Sequence, residues 1–136
     1  MATATGSTGK ISQVVGVVID VTFDKGSLPS INNALKTTLR GETLLFEVAQ
    51  HLSETSVRAI ALGATDGLGR GVEVIDTGAA ISVPIGESTL GRMFNVIGEP
   101  IDGKGGTFTE VAPIRRAQRA FTDLTGGVPI LETGIK

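Results

Sequence analysis

Gly98, followed five positions later by Gly103 and then Lys104, nearly spells a phosphate-binding loop. In such a loop backbone amides converge on the phosphates and the lysine reaches their terminal oxygens. A Ser or Thr then places a hydroxyl on magnesium. Here Gly105 follows the lysine. Glu99 and Asp102 put carboxylates where phosphates need positive potential, and Pro100 removes an amide donor. Gly103-Lys104-Gly105-Gly106 is a poor helix start. The run predicts a turn and a loose glycine-rich loop, with no phosphate contact.

The remaining reactive side chains assemble no more chemistry. Glu87, Glu99, Asp102 and Glu110 are the carboxylates from which an acid–base pair would come, and their spacing brings no two together. His51 is the single histidine, and with no cysteine in the chain it has no companions for the usual metal site. Ser82 and Ser88 lack a nucleophile elbow and a triad partner. Arg115, Arg116 and Arg119 form a cluster able to meet a phosphate or an acidic partner, although a solvated stretch accounts for it as well. The residues assign no catalytic, cofactor-binding or metal-ligating position.

Composition narrows the classes further. The 136 residues suit one domain, or one small domain and part of another. Hydrophobic residues are 40% and charged residues 19%, enough for a core. Nineteen glycines point to many turns between short strands. The net charge is -2, Trp and Tyr are absent, and there are five Phe. A nucleic-acid site wants a positive groove and stacking aromatics, so nucleic acid is excluded as a partner. Without cysteine, disulfides and thiolate chemistry are excluded too. No apolar run is long enough to span a bilayer, and the opening residues do not read as a targeting peptide.

The elements that must position these side chains are predicted as strands. Residues 1–9 are small, polar and expected to be a flexible start. Alternation from Ile11 to Phe23 predicts one long strand, bent at Gly16, with the odd positions on the buried face. Ile31–Thr38, Thr43–Leu52 and Ser56–Leu62 follow, the last two as a hairpin. The Gly63–Gly71 segment reads as a surface loop, and Val72–Asp76 and Ala80–Val83 as two further strands around Thr77-Gly78. Leu90–Asn95 is expected to make a turn or two of helix, capped by Ser88. Ala112–Phe121 is expected to be extended or weakly helical. A boundary falls near Ser82–Pro84, dividing a barrel at 10–82 from a segment at 83–136.

Several segments in order resemble the catalytic beta subunits of F-type ATP synthases. Lys10–Phe23 is similar to that family's opening strand, and Leu28-Pro29-x-Ile31-x-Asn33-Ala34-Leu35 to its next landmark. Glu47-Val48-Ala49-Gln50-His51-Leu52, with Val57-Arg58 after it, resembles the catalytic subunit more than its non-catalytic paralogue or export ATPases. Thr89-Leu90-Gly91-Arg92-x-x-Asn95-Val96-Ile97-Gly98-Glu99-Pro100-Ile101-Asp102 is the strongest single motif. Pro113-Ile114-x-Arg116, Phe121-Thr122-Asp123-Leu124 and Glu132–Lys136 complete the likeness. Ala117-Gln118 departs from it, standing where a proline is common.

The resemblance implies an all-β unit, a six-stranded N-terminal β-barrel, followed by an incomplete lead-in to an α/β P-loop nucleotide-binding domain. It implies a subunit that, at full length, makes ATP from ADP and phosphate with a transmembrane proton gradient and binds ATP, ADP and Mg2+. Its barrels pack with those of non-catalytic alpha subunits in an alternating ring. It implies a peripheral complex reaching the membrane only through partners, foremost at the cytoplasmic side of a bacterial plasma membrane, with the mitochondrial inner membrane or the thylakoid as alternatives. The family's phosphate loop and catalytic groups lie beyond the positions matched, so none of its site residues transfers to this chain. Two competing readings are a stand-alone barrel serving as an interaction module and a subunit of a related rotary or export ATPase.

Overall fold

The computed structural model describes residues 6–115 together with Ala120, Thr122 and Ile130. Eight strands follow in order: β1 (Thr8–Val15), β2 (Val18–Phe23), β3 (Asn33–Leu39), β4 (Glu42–His51), β5 (Ser56–Ala61), β6 (Glu73–Ala80), β7 (Ser82–Pro84) and β8 (Val111–Pro113). The first six close into an antiparallel barrel in the order β1-β2-β5-β4-β3-β6, with β6 paired back onto β1. β7 and β8 make a separate two-stranded sheet. The described residues are thus all-β, as the composition and turn pattern predict.

Side chains alternating inward fill the barrel. Leu44, Phe46 and Val48 enter from β4, Val57, Ala59 and Ala61 from β5, and Ile19, Val21 and Phe23 from β2. Leu35 and Val74 close the far side, and Leu68 of the glycine-rich loop joins the same core. A closed barrel has no open edge, so every strand satisfies its neighbours' backbone groups.

The expected single strand from Ile11 to Phe23 is instead two strands, β1 and β2, folded back as a hairpin. Val15 pairs with Val18, leaving Gly16-Val17 as a two-residue turn. Gly16 has φ +60 and Val17 does not enter positive φ, the pattern of a mirror-image turn whose twist suits a hairpin. The odd-position face holds at Ile11 and again at Ile19, Val21 and Phe23, and fails between them at Gln13, Val15 and Val17. The register against β2 slips between Ile11 and Gln13, so Ser12 is an extra residue. That bulge turns Val14 toward the core and leaves Val15 exposed.

Two further expectations give way to structure. The strands expected at Val72–Asp76 and Ala80–Val83 are β6 and β7, but the break between them falls at Ile81 and not at Thr77-Gly78. β6 runs through both glycine and threonine, bending where its pairing with β3 jumps between Asn33 and Leu35. Gly78 takes φ +72 there, and Asp76 Oδ1 accepts its amide at 2.9 Å. Leu90–Asn95 forms no helix. A 3₁₀ turn spans Glu87–Thr89, with Gly86 rather than a serine at its start and no side-chain cap, and Leu90 is already extended. Gly91, within the expected helix, takes φ +68, which a continuing right-handed helix does not allow.

Candidate functional site

The loop between β7 and β8 carries the motif that invites a functional reading. Its backbone doubles back on itself. Phe94 bridges Pro100, Ile101 N donates to Met93 O at 2.9 Å, and Asn95 N donates to Glu99 O at 2.9 Å. Asn95 organises the tip: its Oδ1 accepts the amides of Ile97 and Glu99, and its Nδ2 donates to Glu99 Oε2 at 3.0 Å. Gly98 turns at φ +81 directly over β7. A Cβ there would stand 2.8 Å from Pro84 Cδ and 3.2 Å from Val83 Cα. The glycine of the apparent phosphate loop is therefore a packing glycine.

Arg92 is the centre of this loop. Its Nε donates to Asp102 Oδ2 at 2.5 Å and its Nη2 to Asp102 Oδ1 at 3.1 Å, a two-point pairing of fork to carboxylate. Nη2 also donates to the Lys104 carbonyl. The guanidinium carbon lies 5.1 Å from the Phe108 ring centre, and Phe108 meets Phe94 edge-on at 5.0 Å. The Arg92 hydrogen bond holds the Asp102 carboxyl far below the usual carboxylate range. Desolvation opposes the shift, and the Lys104 amide reinforces it. Asp102 in turn raises Arg92.

This geometry tests the nucleotide reading directly. A phosphate cradle needs amides pointing outward toward the ligand. The Lys104 amide points inward, donating to Asp102 Oδ1 at 3.1 Å, and the Lys104 carbonyl is held by Arg92. Residues 98–105 form turns and extended backbone with no helix start. The described residues of this loop do not fit the phosphates of ATP or ADP, nor a magnesium ion bound with them.

The other candidate residues are dispersed. Asp102 serves Arg92 and Glu99 serves Asn95. Glu110 lies beside Gly86, its Oε2 2.8 Å from where a Cβ would stand. Glu87 sits in the 3₁₀ turn. His51 ends β4, and its Nε2–H donates to the carbonyl of buried Pro29 at 2.7 Å, tying the strand to the connection before β3. Ser82 Oγ donates to Ala80 O at 3.3 Å. Arg115 Nε donates to Glu47 Oε1 at 2.9 Å on β4. Arg116 and Arg119 lie outside the described residues.

Besides Arg115–Glu47, two pairings escaped sequence reasoning. Arg58 grips Asp20 through Nε at 2.8 Å and Nη2 at 3.0 Å, joining directly opposed positions of β5 and β2. That hydrogen bond lowers Asp20 against the desolvation that would raise it, and raises Arg58. The Arg92–Asp102 pair is the other. Neither has a local spacing signal, because each depends on strand register or loop closure. Among the described residues no helix is long and apolar enough to cross a membrane.

Residues 11–78 match the family model described as ATP synthase alpha/beta family, beta-barrel domain. The match is half of the chain and covers the barrel from within β1 to within β6. The loop built on Arg92 lies beyond it.

Proposed function

The chain belongs to the ATP synthase alpha/beta family through its β-barrel domain, and from that premise we propose that it is the N-terminal portion of a catalytic beta subunit. The barrel's task in this reading is assembly. It packs beside the barrels of non-catalytic alpha subunits in an alternating ring, while the full-length protein makes ATP from ADP and phosphate using a transmembrane proton gradient. ATP, ADP and Mg2+ belong to the full-length protein. The described loop that mimics a phosphate site turns its amide at Lys104 inward. Residues 83–136 are read as the lead-in to the nucleotide-binding domain. The setting is a peripheral complex at a bacterial plasma membrane, cytoplasmic side, with the organellar energy membranes as alternatives.

The observation that carries this reading is Glu47-Val48-Ala49-Gln50-His51-Leu52 with Val57-Arg58, lying inside the matched barrel. These residues resemble catalytic subunits of the family. They occupy β4, the residue after it and β5, with both inward positions (Val48, Val57) and outward ones (Glu47, Arg58) represented. The barrel presents apolar residues outward that a neighbouring subunit would cover, among them Val15, Val17, Ile60 and Ile75. An exposed large apolar residue is ordinary singly, so the family context gives these their meaning.

The test is pairing preference. The chain is co-expressed with a non-catalytic alpha subunit and, separately, with a second tagged copy of itself, and the complexes are weighed by native mass spectrometry. Association with alpha and not with itself is expected. Self-association without alpha binding would favour a stand-alone interaction module and overturn the assignment.

A further inference from the structure

An aspartate followed by glycine is a place where a chain can rearrange its own backbone. The glycine amide nitrogen attacks the aspartyl Cγ, an N–C bond forms, and the carboxyl C–O bond breaks with loss of one water. The five-membered succinimide then takes water back at either carbonyl. Opening at the main-chain carbonyl leaves the chain running through Cβ and Cγ, an isoaspartyl link of unchanged mass. Ring closure needs a side chain free to swing over the next amide, an amide that is not already donating, and no Cβ on the next residue to block the approach. The sequence has two such dipeptides, Asp66-Gly67 and Asp102-Gly103.

The structure separates them. Asp102, in the lobe between β7 and β8, is held at both carboxylate oxygens. Arg92 Nε donates to Oδ2, and Arg92 Nη2 and the Lys104 amide donate to Oδ1. Its side chain is nearly buried, and attack would require these bonds to break first. Asp66, in the loop between β5 and β6, is exposed. Among the described residues its carboxylate joins no ion pair and accepts no hydrogen bond, and the Gly67 amide donates to no carbonyl. The turn is closed instead by Leu68 N, which donates to Thr65 O at 2.9 Å. The asparagines, which react in the same way, are committed elsewhere. Asn33 Nδ2 donates to Asp76, the Asn95 side chain holds Ile97 and Glu99, and the amide after Asn32 donates to Ser30 O.

We propose that Asp66-Gly67 is a site of spontaneous isoaspartyl formation in the folded chain, and that Arg92 shields the same dipeptide at Asp102-Gly103. The loop's place gives the change a consequence. Leu68, two residues on, is buried in the barrel core, and Thr65 Oγ1 donates to Gly16 O at 2.9 Å, tying the loop to the β1–β2 turn. An isoaspartyl link lengthens the main chain by one atom between these two anchors. Either the turn or the seating of Leu68 must give. The α-carboxylate that the rearrangement leaves on the surface is the group that isoaspartyl-specific methyltransferases modify, so the altered loop is a substrate for that class of repair enzyme.

The full chain is aged at neutral pH and physiological temperature and mapped by peptide mass spectrometry with electron-transfer fragmentation, which separates isoaspartyl from aspartyl links of equal mass. A sample kept unfolded in guanidinium gives the reference rate for each dipeptide. In the folded chain isoaspartate is expected to accumulate at Asp66 and to form at least roughly tenfold more slowly at Asp102, where charged hydrogen bonds must break before attack. Asp66→Asn speeds the reaction, because ammonia leaves more readily than water. Asp66→Glu suppresses it, because the ring would be six-membered. In Arg92→Gln the rate at Asp102 rises toward its unfolded value while that at Asp66 is unchanged. The isomerised chain shows faster hydrogen exchange at the Leu68 amide. No isoaspartate at Asp66 over a period that converts the unfolded sample, or equal formation at Asp66 and Asp102, overturns the proposal, even if the Arg92 variant does not fold. A folded Arg92→Gln in which Asp102 stays as slow as in the parent overturns the shielding by Arg92.

Discussion

Arg92 and Asp102 stand ten residues apart and close on each other through two hydrogen bonds, Nε to Oδ2 at 2.5 Å and Nη2 to Oδ1 at 3.1 Å. Their side chains are 14% and 6% exposed. This pair converts a glycine-rich run into a shaped loop. Asp102→Asn removes the charge, and Arg92→Lys keeps a charge but loses the planar fork. In either variant hydrogen exchange at the Ile101 and Lys104 amides should accelerate several-fold while β4 and β5 keep their protection. Unchanged exchange at those amides would show that the backbone turns alone hold the loop.

Acid should reveal the two arginine-bound carboxylates. Asp20 and Asp102 both have folded values lowered from 3.8 by their arginine hydrogen bonds. The unfolded chain then binds protons first as pH falls, so stability rises with pH through this window. The contribution is fully present above the ordinary carboxylate value and is lost as pH drops below it toward the depressed folded values. Urea unfolding from pH 7 to pH 3 should show little loss from these groups down to about pH 5 and a growing loss below about pH 4. Asp20→Asn should flatten that acid limb. A parent-like limb in Asp20→Asn would place its origin elsewhere.

The barrel core should be intolerant where its outside is tolerant. Phe46 is fully buried at the centre of β4, and Phe46→Ala should cost about 3–5 kcal/mol. That is a large share of the roughly 5–15 kcal/mol that holds a small domain together. Ile75 points outward from β6, half exposed, and Ile75→Ala should change stability by no more than about 0.5 kcal/mol. Paired urea midpoints at constant slope decide this, and equal costs would mean the barrel faces are wrongly placed.

Gly98 and Gly103 differ in what surrounds them, although both take positive φ. Gly103→Ala meets open space, so its cost is the backbone term alone, roughly 1–2 kcal/mol. Gly98→Ala carries that term and also drives a methyl into Pro84 and the Val83 backbone, adding roughly 1–3 kcal/mol. Local opening of the lobe, read by hydrogen exchange at Glu99 and Ile101, should rank Gly98→Ala well above Gly103→Ala. The reverse order would be incompatible with the packing of Gly98 on β7.

Nucleotide should not bind this chain in saturable fashion. The Lys104 amide and carbonyl are committed to Asp102 and Arg92, and the loop has no helix N-terminus for phosphates. Isothermal titration with MgATP is expected to give only dilution heats, and turnover assays no phosphate release. A micromolar isotherm would require a site assembled from residues other than this loop.

Much of the barrel was legible because burial writes a two-residue period. Leu44, Phe46 and Val48 take every second position of β4, and Val57, Ala59 and Ala61 every second position of β5, and both strands and their hairpin lie within a residue of the expected bounds. Arg40-Gly41 makes the tight β3–β4 turn, where both residues take positive φ. The hairpin at Gly16 was misread as a bend. The two-residue turn shifts the phase, pairing Val15 with Val18, and the bulge at Ser12 shifts it back so that Ile11 pairs with Val21, which leaves the odd positions at both ends reading as one apolar strand. The helix expected at Leu90–Asn95 failed for a different reason. Local propensity there is outweighed by Gly91 at positive φ and by Arg92 reaching forward to Asp102.

By itself the sequence determined the fold class, the strands with clean alternation, the absence of cysteine chemistry and the poor prospects of a phosphate site at Gly98–Gly105. These depend on residue type and short spacing, which are local. The tertiary structure alone decided how the strands close, β6 returning to β1, and which distant charges meet: Asp20 with Arg58, Glu47 with Arg115, Arg92 with Asp102. Such meetings follow from register, bulges and loop closure. A single residue of slip reverses a strand's faces, so no count of neighbours along the chain could have fixed them.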